Sequence, residues 1–438
     1  MHKLFSFLSF SLLVFVLAFA ALAKGGNSVW AREIIIVVVV LAWALWPRDT
    51  PEQQFGLVWW LPWLAVSVFI AFQLIAPFGE QAFHTVMPLQ TIAYWAIFSA
   101  YWLIVWLVAN VSLSQARSLV ALLVVLACFQ ALYGLLAFLG GQDTILGLWE
   151  KEYYLRDVTG TFVNRNHFAG YLALLWGIGL SFFFAYENKQ GARPAVVLRV
   201  GLAVLFSLVL IIAILGSHSR LGMLAGLLAI GTWIYFYVSR GQADSKWGKP
   251  VLIGLVLVIL FGMVWFGMGK LILRFAQLGE NERYLVWDAM LNQPFSVWLF
   301  GIGAGSFEDF FRTIVPLNIQ GSSIYYEAHN DWLEFTLDFG LIGAACIATA
   351  FVFWFVKLRP RHWSLLQYGA LSGIIAIAVH SLGDFNLQIP GVAVTFWAAL
   401  GLLMNPNVSQ DKLKLIRREP SPERSERRRK RHHRSTYR

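Results

Sequence analysis

The chain has 438 residues, 58% hydrophobic and 13% charged. Soluble domains carry about 25% charged residues, so a soluble fold is excluded. The formal charge of +10 is concentrated at one end: Asp411 to Arg438 holds 12 Lys and Arg against 4 Asp and Glu, a net +8.

Apolar runs of about 17 residues or more recur along the chain, each long enough to cross about 30 Å of hydrocarbon as a helix. Alternating segments of about 10 residues, the mark of an outer-membrane barrel, are absent. The sequence therefore predicts an all-α polytopic membrane protein of about 12 transmembrane helices. The spans fall at 4–23, 30–46, 55–76, 89–109, 116–139, 167–186, 195–215, 221–238, 251–269, 331–356, 365–382 and 388–404.

The first run follows a basic start and ends in Ala21-Leu22-Ala23, like a cleavable signal. Its length, about 20 residues against the usual 7–15, favours a retained anchor. Short cytoplasmic loops concentrate Lys and Arg. With the N-terminus inside, the inner loops hold Arg48, Arg117, Lys189, Arg193, Arg199, Arg240, Lys246, Lys249, Lys357, Arg359 and Arg361. The short outer loops hold only Lys24, Arg32 and Arg220. Two long outer segments remain, 140–166 and 270–330, the second between the ninth and tenth spans. Residues 1–404 read as the transmembrane domain and 405–438 as a disordered basic cytoplasmic tail that meets anionic membrane lipids rather than nucleic acid. Trp43, Trp46, Trp59, Trp60 and Trp63 cluster near span ends and read as an interfacial aromatic belt. Cys128 and Cys346 lie in apolar runs, which suggests neither a disulfide nor a metal site.

With this topology the polar stretches share the outer face. They are GTFVNRNHFAGYL from Gly160, with Asn164, Arg165 and Asn166; GSHSRLG from Gly216, with Arg220; and ERYLVW, with Arg283 and Trp287 on one helical face. GIGAGSFEDFF then leads to EAHNDWLEF, with His329, Asn330 and Glu334, and HSLGDFNLQIPG holds Asp384 and Asn386. Plainer roles exist for several. Asn166 and Asp331 suit helix caps, and Asp331 with Glu334 has capping-box spacing. Arg220 suits a snorkelling contact with head groups, and His218 and His380 suit structural histidines. GIGAGS is no dinucleotide loop, since no strand precedes it and its sixth position is Ser306. No zinc spacing and no Asp-rich magnesium motif occurs.

Two arginines and a histidine on one face suit displacement of a phosphorylated leaving group by a hydroxyl. The guanidinium forks of Arg220 and Arg283 match phosphate oxygens, and His329 can take the proton near neutral pH, so neither a metal nor another cofactor is needed. An outer face has no nucleotide pool, so the activated donor would be lipid-linked.

His329-Asn330, nine residues, then Gly340-Leu-Ile-Gly343 resembles a recurrent pattern of the O-antigen ligase and O-antigen polymerase superfamily of membrane glycosyltransferases. GTFVNRNHFAGYL, SRLG, RYLVWDAM and GIGAGSF follow in the order expected there, and HSLGDFNLQIP resembles one subgroup. The resemblance, over about Gly160 to Gly401, implies a GT-C-like layout and inverting transfer of a glycan from undecaprenyl diphosphate to an acceptor hydroxyl on the periplasmic side of a bacterial inner membrane. It assigns Arg220 and Arg283 to the diphosphate and His329 to activation. Asn164, Arg165, Asn166, Asn330, Glu334, Asp384 and Asn386 would line or brace the sugar site. The acceptor stays open among lipid A-core (a ligase), another repeat unit (a polymerase) and a protein hydroxyl (an O-oligosaccharyltransferase). A glycan transporter is the non-enzyme alternative; it would place polar groups at mid-membrane in broken helices.

Overall fold

A computed structural model of the chain describes residues 2–47, 57–75, 87–184, 193–239, 253–254, 257, 282–316, 326–356 and 363–409. In chain order its helices are α1 (His2–Leu22), α2 (Val29–Ala44), α3 (Leu61–Ile75), α4 (Pro88–Asn110), α5 (Leu113–Leu139), α6 (Arg165–Phe184), α7 (Arg193–Gly216) and α8 (Arg220–Ser239). They continue as α9 (Glu282–Leu291), α10 (Phe295–Phe300), α11 (Phe307–Ile314), α12 (Asp331–Val356), α13 (Leu365–His380) and α14 (Pro390–Met404). A two-stranded hairpin, Thr144–Ile145 with Trp149–Glu150, interrupts the segment after α5.

Among the described residues, eight helices are long and apolar enough to cross a bilayer: α1, α3 with its preceding turn, α4, α5, α6, α7, α8 and α12. The protein is an all-α polytopic membrane protein. Shorter helices α2, α13 and α14 coincide with three further predicted spans. Apart from 253–254 and 257, the expected ninth span, 251–269, lies outside the described residues, as does the basic tail from 410. Packing continues past the expected domain edge at 404: Asn405 donates to the carbonyls of Val108 and Val111 (2.8 and 3.0 Å), and Val408 is buried.

α6 is the central helix, buried on nearly every side. It meets α13 along a seam of small residues, where Gly177, Gly369 and Gly373 leave no room for a methyl group. Lipid supplies no hydrophobic drive between helices, so such close backbone approach is what holds the pair. Trp59 corrects the belt expectation: it is buried inside the bundle, tilted against Trp102 and edge-on to Trp354 at centroid distances of 6.0 and 5.6 Å. An indole surrounded by other rings gains more from burial there than from the interface.

α12 was expected as one unbroken span, yet it breaks at Gly340 (φ 67°, ψ 168°). Its 26 residues would reach about 39 Å at 1.5 Å per residue, well past the hydrocarbon thickness. A break strands backbone carbonyls, and the loop 301–305 satisfies them. Ile302 N donates to Leu337 O (3.0 Å) and Gly303 N to Asp338 O (3.1 Å). Gly305 N donates to the Asp338 carboxylate (3.0 Å). Gln73 of α3 adds a donor to Asp338 O (2.8 Å) and accepts from Ala304 N (3.2 Å). GIGAGS is thus a strap for a broken helix. Above it α9, α10 and α11 close a small separate core of Val286, Met290, Phe307, Phe311 and Leu337.

Candidate active site

Four starts and one turn meet at the end of the bundle beneath that cap. α6 is capped by Asn164, whose side chain accepts from Asn166 N (2.8 Å), and α12 by Asn330, which accepts from Leu333 N (3.0 Å). Both caps lie before the residues expected, Asn166 and Asp331. A cap stands outside the first helical turn with its side chain folded back over it, and Asn164 and Asn330 hold that position. Asp331 and Glu334 do not form the expected capping box. Asp331 N donates to the carbonyls of Ser381 (3.0 Å) and Asp384 (3.2 Å), while its carboxylate accepts from Leu387 N (3.0 Å). Asp331 therefore stitches the start of α12 to the α13–α14 turn. Glu334 reaches back to Ala328 N (2.6 Å) and fixes the residue before His329.

Asp384, at that turn, is the hub. It is 0% exposed, yet its oxygens meet groups from three distant segments. Oδ1 lies 3.6 Å from His329 Nδ1 and 3.4 Å from His167 Nε2, and accepts from Phe385 N (3.0 Å). Oδ2 lies 3.7 Å from Arg283 Nη2, and Arg283 Nη1 donates to Gly383 O. Burial alone would raise the Asp384 carboxyl. Arg283, then His167 and His329, outweigh it and hold the group well below the usual carboxylate range. The hub is therefore a carboxylate at any working pH.

His329 is aimed by several constraints. Its backbone is left-handed (φ 53°), and its ring stands edge-on to Phe385 at 4.8 Å. Its Nδ1 is buried against Asp384 while the side chain is 27% exposed, so the accessible edge is the Nε2 edge. With Nδ1–H toward a carboxylate, Nε2 is left as the basic nitrogen. Arg283 and Trp287 share one face of α9, as the spacing predicted, and Trp287 Nε1 donates to Ala328 O (2.8 Å).

A second cluster adjoins the hub. Asp157 pairs with Arg165 (2.8 Å) and with His218 Nδ1 (2.6 Å), and the Arg165 guanidinium sits 5.1 Å above the Tyr154 ring. Burial raises the Tyr154 phenol, which also feels the charges of Arg165, Asp384 and Arg283. Arg220 opens α8 directly after the His218 turn, and its neighbour Leu221 lies against Gly383. His218, like His329 and Tyr154, has a left-handed backbone, a conformation that clusters at functional sites.

The structure thus brings Arg283, His329 and Asp384 into one unit with Arg165 near it, while Arg220 opens the helix whose next residue, Leu221, lies against Gly383. Asn164 and Asn330 serve as caps, Glu334 as a brace, and Asn386 is fully buried behind the hub with His380. Among the described residues, no group of three or more His, Cys, Asp or Glu is placed to hold a metal ion. Sequence reading missed His167, Asp157, Tyr154 and Phe385. Each lies within or beside a stretch that had stood out, but no spacing signal ties them together.

Residues 205–348 match the family described as O-antigen ligase. That match spans about a third of the chain, and over those residues the chain is similar to the O-antigen ligase family. The match runs from α7 into α12 and contains Arg220, Arg283 and His329, whereas His167 and Asp384 fall outside it. No curated protein and no solved structure matches the chain.

Proposed function

We propose that the chain is a metal-independent, inverting glycosyltransferase of the bacterial inner membrane, acting on the periplasmic side with both termini in the cytoplasm. Its twelve spans would leave the site open to a donor arriving sideways from the bilayer. That donor is a glycan on undecaprenyl diphosphate, and the acceptor is a hydroxyl of lipid A-core or of another glycan. The acceptor oxygen attacks the anomeric carbon as the bond to the diphosphate breaks. His329 Nε2 takes the hydroxyl proton, and Arg220 and Arg283 take the charge of the departing diphosphate. Asn164, Arg165 and Asn166 lie beside the glycan at the mouth.

The observation that carries this reading is the shared carboxylate. Asp384 fixes a base and a phosphate-binding fork in one rigid unit, so that leaving-group and nucleophile chemistry occur within reach of each other. A transporter is disfavoured by the position of the one broken helix among the described residues. The break in α12 contacts Gln73 near the end of α3, and the strap's Ser306 accepts from Met87 N (3.1 Å) just before α4; lying level with these helix ends supports a place near the membrane boundary over mid-depth.

The test is deletion in the native host, complemented with wild type or His329→Ala. Normal glycans with His329→Ala would remove the enzyme reading. Failure of a normally inserted variant supports it, and the accumulated intermediate names the reaction: long undecaprenyl-linked chains for a ligase, single repeat units for a polymerase.

A further inference from the structure

We infer that His167 is a positioning residue for this transfer: it holds the Asp384 carboxylate in the orientation that serves His329. The inference rests on the proposed function above and concerns a residue outside the matched family region.

His167 is the third residue of α6 and is 3% exposed, so it meets no substrate. Its Nε2 faces the same carboxylate oxygen that His329 faces, at 3.4 against 3.6 Å. Phe385 is wedged between the two imidazoles, edge-on to each, with centroids 4.5 Å from His167 and 4.8 Å from His329. Oδ1 therefore faces two imidazoles at ion-pair distance and accepts one backbone amide. Their directions together define where the oxygen can lie.

The reach of His167 is fixed by its own helix. One turn on, Gly170 lies so close to the α13–α14 turn that a methyl there would stand 2.6 Å from Asn386 Oδ1 and 2.8 Å from His380 Nδ1. α6 therefore lies in close contact with the α13–α14 turn, and His167 on it is held away from water. If its donor is lost, one of the three anchors of Oδ1 goes. The carboxylate is then free to rotate toward Arg283, away from His329 Nδ1. The consequence is a slower proton transfer with little change in donor binding, because the arginines remain.

Two substitutions separate this role from packing. His167→Phe keeps a flat ring against Phe385 and loses the donor. His167→Gln loses the ring but carries an amide N–H at about the reach of Nε2. Steady-state transfer would be measured on the purified full chain in nanodiscs, with undecaprenyl-diphosphate-linked glycan extracted from host membranes as donor. We expect His167→Phe to lower kcat about tenfold, as loss of a buried polar contact to a carboxylate does, with donor KM within about twofold. His167→Gln should recover most of the loss. A ranking with Phe equal to or above Gln overturns the inference. Should His167→Phe fail to fold, His167→Asn takes its place: its shorter amide falls short of Asp384, and activity equal to that of His167→Gln overturns the inference. His329→Ala run in parallel separates the two levels. If it stays active, the proposed function fails; if it is inactive while His167→Phe is fully active, the positioning role alone fails.

Discussion

Asp384→Asn tests the hub directly. At an effective dielectric of about 20, charges 3.6 Å apart interact by about 4.6 kcal/mol, the distance being that from Asp384 Oδ1 to His329 Nδ1. If His329 takes the acceptor's proton as proposed, it becomes a cation that the carboxylate stabilises. Loss of the charge should slow turnover on the order of a thousandfold. The effect on the donor runs the other way. Arg283 loses a competing anion at 3.7 Å and keeps its fork, so donor KM should stay constant or fall.

Stability responds as well. An amide whose oxygen stays on Phe385 N presents its NH2 to Arg283, donor facing donor. Breaking a buried pair costs about 3–5 kcal/mol; with Arg283 22% exposed and able to draw water, the low end applies. The folded pKa of Asp384 lies below its unfolded value near 3.9, so the carboxylate's contribution is fully present above about pH 4. It is lost only as pH falls through the depressed folded value. The melting-temperature gap between wild type and variant should thus be constant from about pH 5 to 8 and close in stronger acid. The assay is transfer kinetics in nanodiscs, paired with thermal unfolding across pH. A folded Asp384→Asn enzyme with wild-type kcat, or one with raised KM and intact kcat, would refute the hub.

Arg283→Lys keeps the charge and loses the fork that spans Gly383 O and Asp384; transfer should fall at least tenfold with normal membrane insertion, measured by donor turnover against expression level. Chelation of divalent metal should leave transfer by purified protein unchanged, and a loss restored by magnesium would reveal a metal site. Gly340→Ala should fail to give folded protein, since its Cβ would stand 2.5 Å from Gly301 N at a φ of 67° and ψ of 168° where only glycine is at ease. Gly141→Ala has a similar φ of 62° but no atom within 4 Å, so a loss of about 1 kcal/mol or so in thermal unfolding is expected, which separates strain from collision.

The sequence announced much of this arrangement and concealed the rest for identifiable reasons. Apolar runs mark helices whatever their neighbours, so α1, α4, α5 and α12 were legible. Loop charges placed GTFVNRNHFAGYL, SRLG, EAHND and HSLGDF on one face, and those segments do converge. Arg283 and His329 stood out because guanidinium and imidazole are rare beside apolar spans. Asp384 was singled out only as a sugar contact, because its partners lie 55 to 217 positions away in the sequence. His167 was hidden by its place in a helix start that had its own explanation. Left-handed backbone at Tyr154, His218 and His329 leaves no mark in a sequence unless glycine occupies the position. Trp59 misled because proximity to a span end says nothing of which way an indole faces.

The break at Gly340 gives the recurrent motif a mechanical meaning. His329, the base of the proposed reaction, is followed at once by Asn330, which caps the helix, so the histidine is fixed at a helix end rather than on a free loop. The nine residues from Asp331 to Phe339 make about two and a half turns. That length brings the free carbonyls of Leu337 and Asp338 to the strap at one end while Asp331 is stitched to the Asp384 turn at the other. Gly340 then lets the backbone of Gly301 pass in direct contact, and Gly343 clears Phe69 of α3 one turn further on. The short helix is thereby tied at both ends by hydrogen bonds and is set apart from the apolar span by its own break. The spacing between the histidine and the first glycine thus sets how far His329 stands from the strap that ties the broken helix, and the glycines are what let that strap approach.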